Sequence, residues 1–142
     1  MPISLGPLGD RMPQQVPYVG YLRLGDDPHL VATACRSCGA LFFDRRNACA
    51  NCGGCDFGER RLANNGIVRA FTIVHRASPD VKVPYVSGIV DLDGGGVVKA
   101  NIVGIDPEPG SVTLGMKVRL TTFPVGTDSE GTQAVAFGYQ PA

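Results

Sequence analysis

The chain has 142 residues, with 13 basic and 13 acidic side chains, formal net charge zero and no tryptophan. That length suits one domain, or a small module beside a modest one. Zero net charge argues against nonspecific binding of a polyanion, and no segment reaches the ~20 apolar residues of a membrane helix.

Residues 1–17 suit a loosely held arm, and residues 1–15, with Pro2, Pro7 and Pro13 and no apolar run, resemble no secretory leader. The expected location is therefore the cytoplasm, where five cysteines point to a metal and not to disulfides. Residues 18–24 (YVGYLRL) suit a short helix or strand, closed by a turn over residues 25–28. A short apolar run, residues 29–34, leads into the cysteines.

Cys35 and Cys38, then Cys49 and Cys52, form two C-x-x-C pairs separated by ten residues. Two-residue spacing turns both thiolates of a pair toward one point, and two such knuckles complete the tetrahedron that Zn²⁺ prefers. The expected cofactor is a structural zinc, because four sulfurs close the shell and leave no position for water or substrate. Gly39 and Gly53 each follow the second cysteine of a pair, where a knuckle needs φ > 0. Cys55 leaves two readings: an alternative ligand to Cys52, or a small residue beside the site. Residues 40–48 (ALFFDRRNA) are expected to form a hairpin, with Phe42 or Phe43 packed beside the metal.

From Gly66 onward the pattern becomes strands separated by turns. The runs are residues 67–76, 85–92, 97–103, 116–123 and 134–139. Asp93-Gly94-Gly95-Gly96 is a hairpin turn by composition. In the fourth run Met116, Val118 and Leu120 alternate with Lys117, Arg119 and Thr121. The loop Asp106-Pro107-Glu108-Pro109-Gly110 is too rich in Pro and Gly for a helix. Five runs fit a five-stranded OB-type barrel, since closure removes exposed edges. The expected architecture is mainly β: an N-terminal arm with a short helix or strand (1–33), a zinc ribbon (34–62) and an OB-fold barrel (63–142).

Charge is uneven along the chain. Residues 34–76 hold seven arginines against Asp44, Asp56 and Glu59, whereas residues 77–142 hold four Lys or Arg against seven carboxylates. The ribbon arginines have two readings. They offset the excess negative charge of four thiolates on one Zn²⁺, or Arg45, Arg46, Arg60 or Arg61 meets a phosphate or an acidic partner surface.

Taken in order, the segments ACRSCGALFFDRRNACANCGG, GIVRAFTIVHRA, PYVSGIVDLDGGGVVKANIVGIDPE and GMKVRLTTF resemble the acyl-CoA-associated OB-fold family with an N-terminal rubredoxin-like zinc ribbon. The resemblance spans residues 18–140. It is similar to small subunits of thiolase, acyltransferase and steroid side-chain aldolase complexes, the free-standing length pointing to benzoylsuccinyl-CoA thiolase or phloroglucinol acetyltransferase. The resemblance implies a non-catalytic accessory subunit needed for assembly and substrate handling. Its partner would be a thiolase-fold catalytic chain in a hetero-oligomer, with acyl-CoA at the interface and the coenzyme A phosphates near Arg45, Arg46, Arg60 or Arg61.

Two other function classes fit the sequence less well. A zinc ribbon with an OB-fold also suits a nucleic-acid module, but neutral charge, absent tryptophan and the acidic barrel segment weigh against it. A stand-alone enzyme needs a nucleophile, base and orienting group together. His75 has no such companions and reads as a surface or hydrogen-bonded side chain. Asp91 and Asp93 read as turn chemistry, and Gly94 to Gly96 lacks the Lys and helix of a phosphate loop.

Overall fold

A computed structural model describes residues 14–142; the first 13 residues of the expected arm lie outside the described residues. In chain order the strands are β1 (Gln15–Pro17), β2 (Leu22–Arg23), β3 (His29–Cys35), β4 (Leu41–Phe42) and β5 (Phe57–Arg61). The second half contains β6 (Asn65–Val74), β7 (Tyr85–Leu92), β8 (Val97–Ile102), β9 (Lys117–Thr127) and β10 (Gln133–Pro141). No α-helix occurs among the described residues. A 3-10 turn, Pro109–Ser111, stands in the proline-rich loop between β8 and β9.

The last five strands close a barrel. Neighbours run β6, β7, β8, β10, β9 and back to β6, with one parallel junction, Tyr139 against Ile102. This is the five-stranded OB-fold barrel expected from the sequence, and period-2 alternation builds it. Around the barrel Val68, Val86, Val90, Val98, Ile102 and Val118 are buried, each contributing about 1.5–3 kcal/mol of apolar transfer free energy. The fourth run alternates as expected, with Val118 fully buried between exposed Lys117 and Arg119. The β7–β8 turn needs its glycines: Gly94, Gly95 and Gly96 have φ of 79°, 126° and 103°, a region closed to most side chains.

The ribbon half is a separate sheet, in which β3 pairs with β2, β4 and β5. Several details differ from the sequence reading. Residues 18–24 supply only the two-residue β2. The hairpin is formed by β3 with β4, and residues 43–48 continue as bends, not as a returning strand. β5 was not anticipated, because Glu59, Arg60 and Arg61 are all exposed and their alternation is masked by charge. Residues 15–17, placed by the sequence in a loose arm, pair in parallel with Gln133, Ala134 and Val135 of β10.

Ribbon and barrel share one core. Leu22, Leu30, Ala32 and Leu62 are buried in the same cluster as Val68, Val90 and Tyr139. Aromatic contacts continue the junction: Tyr21 lies 4.5 Å from Phe43 and 5.9 Å from Phe137, which meets Tyr139 edge-on. Arg60 also donates to the carbonyl of Gly94 on the barrel's glycine turn.

Candidate metal centre and the groove beside it

The two C-x-x-C segments fold into the same knuckle twice. Cys35 N–H donates to Ala40 O (2.9 Å) and Gly39 N–H returns to Cys35 O (2.9 Å). Fourteen residues on, Cys49 N–H donates to Gly54 O (2.7 Å) and Gly53 N–H to Cys49 O (2.8 Å). Gly39 and Gly53 have φ of 82° and 80°, so the glycine requirement read from the spacing holds at both.

The knuckles bring the sulfurs of Cys35, Cys38, Cys49 and Cys52 within 4.8 Å of one another. Cys35–Cys52 and Cys38–Cys49 are each 3.6 Å apart. A tetrahedral Zn²⁺ with sulfurs at about 2.3 Å requires sulfur–sulfur edges of about 3.8 Å, so the four residues fit that ion. Backbone N–H groups of Asn51 and Cys52 point at Cys49 Sγ (3.3 and 3.5 Å), and that of Gly54 at Cys52 Sγ (3.4 Å). Such donors favour thiolate. The Asn51 side chain and the Ala40 N–H hold Cys38 down at about 6. The Gly54 N–H acts the same way on Cys52, but bonding to the Cys35 and Cys38 sulfurs outweighs it and pushes Cys52 up to about 12. Four thiolates this close need a cation among them before all can ionise. Cys55 stands apart: it is exposed, and its Sγ faces Gly53 O at 3.9 Å.

The four arginines singled out from sequence do not act together. Residues pair across β3 and β5 as Val31 with Arg61, Ala32 with Arg60, and Thr33 with Glu59. Side chains alternate faces along a strand, so Arg60 and Arg61 fall on opposite sides. Arg60 turns to the barrel with buried Ala32 and bonds Gly94 O. Arg61 stays on the outer face, paired with Asp27, whose carboxyl it holds below the usual range by that hydrogen bond. Arg45 and Arg46 lie in the loop after β4, where Thr33 Oγ1 donates to Asp44 O (2.9 Å) and fixes the loop on the sheet. The Arg46 guanidinium sits 4.4 Å from the centre of the Phe42 ring.

Loop and outer sheet face enclose a groove of about 440 Å³. Its lining includes Arg45 and Arg46 but also Tyr21, Arg23, Val31 and Phe57, which the sequence reading missed. Thr33 and Phe42 pair across β3 and β4 and Cys35 and Phe57 across β3 and β5, yet β5 had no visible strand signature. The remaining candidates have local explanations. His75 is exposed beyond the end of β6. Asp91 faces Arg69 at 3.6 Å. Asp93 N–H bonds Asn65 O beside the glycine turn.

Comparison with known proteins matches residues 23–57 to the rubredoxin-like zinc ribbon domain of ChsH2 and residues 59–123 to its C-terminal OB-fold domain. A DUF35 domain-containing scaffold protein of Methanocaldococcus jannaschii is 30% identical over 114 residues, 78% of this chain and 79% of that one. The chain belongs to the ChsH2/DUF35 family. It is also similar to the benzoylsuccinyl-CoA thiolase subunit BbsA of Thauera aromatica, at 27% identity over 82% of this chain and 78% of BbsA. Among solved structures it resembles the Ltp2-ChsH2(DUF35) aldolase, with a TM-score of 0.60 and 29% identity over 80% of this chain and 84% of that one. As a ChsH2/DUF35 protein with a four-cysteine ribbon, the chain has a structural zinc site. The two family domains meet at residue 58, inside β5, the strand that pairs with β3 and runs on to Leu62 in the shared core.

Proposed function

We propose that this chain is the non-catalytic subunit of a thiolase-superfamily complex acting on acyl-CoA. Cys35, Cys38, Cys49 and Cys52 hold its zinc; the ion stiffens the ribbon and takes no part in chemistry, since four sulfurs fill its shell. The observation carrying this reading is the paired architecture itself. A ribbon with a closed metal shell is fused through one core to a barrel, in a family whose relatives are described as a scaffold and a thiolase subunit. In this reading the reacting nucleophile and base belong to the partner. Arg60 and Arg61 are spent on internal contacts. Arg45 and Arg46 remain for an acidic group brought by the partner or by acyl-CoA at the interface.

Co-expression with the thiolase-like protein encoded beside it tests the proposal. A stable hetero-oligomer is expected, with acyl-CoA thiolysis or condensation lost when this chain is omitted. A chain that elutes alone, or a partner fully active without it, overturns the idea. An aldolase complex is the second reading, favoured by the likeness to the Ltp2-ChsH2(DUF35) structure. Retro-aldol cleavage by the purified complex in the absence of thiolysis selects it.

A further inference from the structure

The groove on the outer ribbon face is built for more than charge offset. Its lining is mixed: Val31, Phe57 and Tyr21 supply apolar surface, and Thr33 and Glu59 stand between Val31 and Phe57 in the strand register. Its cations are unevenly satisfied. Arg23 is paired with Glu59 at 3.1 Å, whereas Arg45 and Arg46 have no carboxylate within ion-pair distance among the described residues. Arg46 is held in place by the Phe42 ring, and a cation fixed before binding loses less freedom on binding. Arg23, Arg45 and Arg46 face Asp44 and Glu59 around the same space, which leaves one positive charge uncompensated.

We infer that this groove receives a segment of the catalytic partner in which an apolar side chain adjoins a single carboxylate. The apolar side chain packs against the apolar surface of Val31, Phe57 and Tyr21, and the carboxylate takes Arg45 and Arg46, with their forked donors, as its partners. One uncompensated charge matches one carboxylate. The several negative charges of a coenzyme A phosphate cluster would be set against Asp44 and Glu59, and like charges held together are costly. The inference rests on the docking role proposed above and names the surface that serves it.

Two variants of the full chain test it: the double charge reversal Arg45→Glu with Arg46→Glu, and Val31→Trp, which fills the groove while leaving every charge in place. Calorimetric binding to the thiolase-like partner is expected to weaken roughly tenfold or more in each, with zinc content and melting temperature unchanged. Amide exchange in the wild-type complex should slow in residues 42–46 and 57–59. Wild-type affinity in both variants, or a protected surface that omits these residues, overturns the inference while leaving the accessory role intact. Coenzyme A alone shifting the backbone amide signals of residues 44–46 makes the groove a phosphate site and also overturns it. Failure of the wild-type chain to bind any thiolase-like partner defeats the accessory role, and the groove assignment falls with it.

Discussion

Replacing Cys49 by serine tests how the ribbon is held. Cys49 is 4% exposed, and its sulfur receives two backbone N–H groups. Between residues 35 and 56 only Cys35 and Cys49 are buried, so the knuckles have no apolar core of their own. In zinc-finger peptides the metal supplies about 10–16 kcal/mol of folding free energy. If one thiolate of four carries about a quarter, its loss costs about 2.5–4 kcal/mol, or two to three orders of magnitude in zinc affinity. Unfolding should stop at β3 and β5, because Leu30, Ala32 and Leu62 are anchored in the barrel core. Chelator competition should therefore show zinc affinity reduced about 100- to 1000-fold. Amide exchange should become fast in residues 35–56 while β6 to β10 stay protected. The Cys55→Ser variant should match wild type in both measurements. An affinity change below about tenfold for Cys49→Ser, or continued protection of residues 35–56, would refute the reasoning.

Three further outcomes are expected. In Gly66→Ala the new β-carbon would stand 2.4 Å from Asp91 O and 2.9 Å from Val90 Cγ1. Urea titration should show a loss near the upper end of overpacking, about 3 kcal/mol, while Gly20→Ala, which meets nothing within 4 Å, should change stability little. Tyr139→Phe removes a buried hydroxyl that has no hydrogen-bond partner among the described residues; relieving its desolvation should leave stability unchanged or raise it by about 1 kcal/mol, and a clear drop in melting temperature would mean that the hydroxyl has a partner. Asp27, whose carboxyl is held low by the Arg61 hydrogen bond and charge, should titrate below the usual carboxylate range by carbon-detected NMR and return to it in Arg61→Ala. Because its folded value is depressed, the contribution is present above the unfolded value and fades as pH falls through the folded one. An Asp27 titration unmoved by Arg61→Ala would show that the pair does not persist in solution.

Spacing and turn chemistry made the metal knuckles and barrel strands legible in the sequence. The second barrel run, residues 85–92, coincides with β7, and the glycines at 39, 53 and 94–96 stand at positive φ as their positions require. These features depend on residues a few positions apart, so a local pattern determines them. Tertiary structure decided what the arginine-rich ribbon does with its charge. Pairing with β3 set the faces of β5, sending Arg60 inward to Gly94 and Arg61 outward to Asp27, and left Arg45 and Arg46 over the groove. It likewise placed residues 15–17 beside β10, more than a hundred positions away. A one-residue change of register reverses every side chain. Leu30 in β3 and Leu62 just after β5 are buried in the shared core and joined by a Leu62 N–H to Leu30 O bond of 2.9 Å, which ties the register of these charged strands to apolar burial. The four cysteines alone therefore implied a metal, while the groove beside Arg45 and Arg46 takes shape only where β3, β5 and the loop after β4 come together.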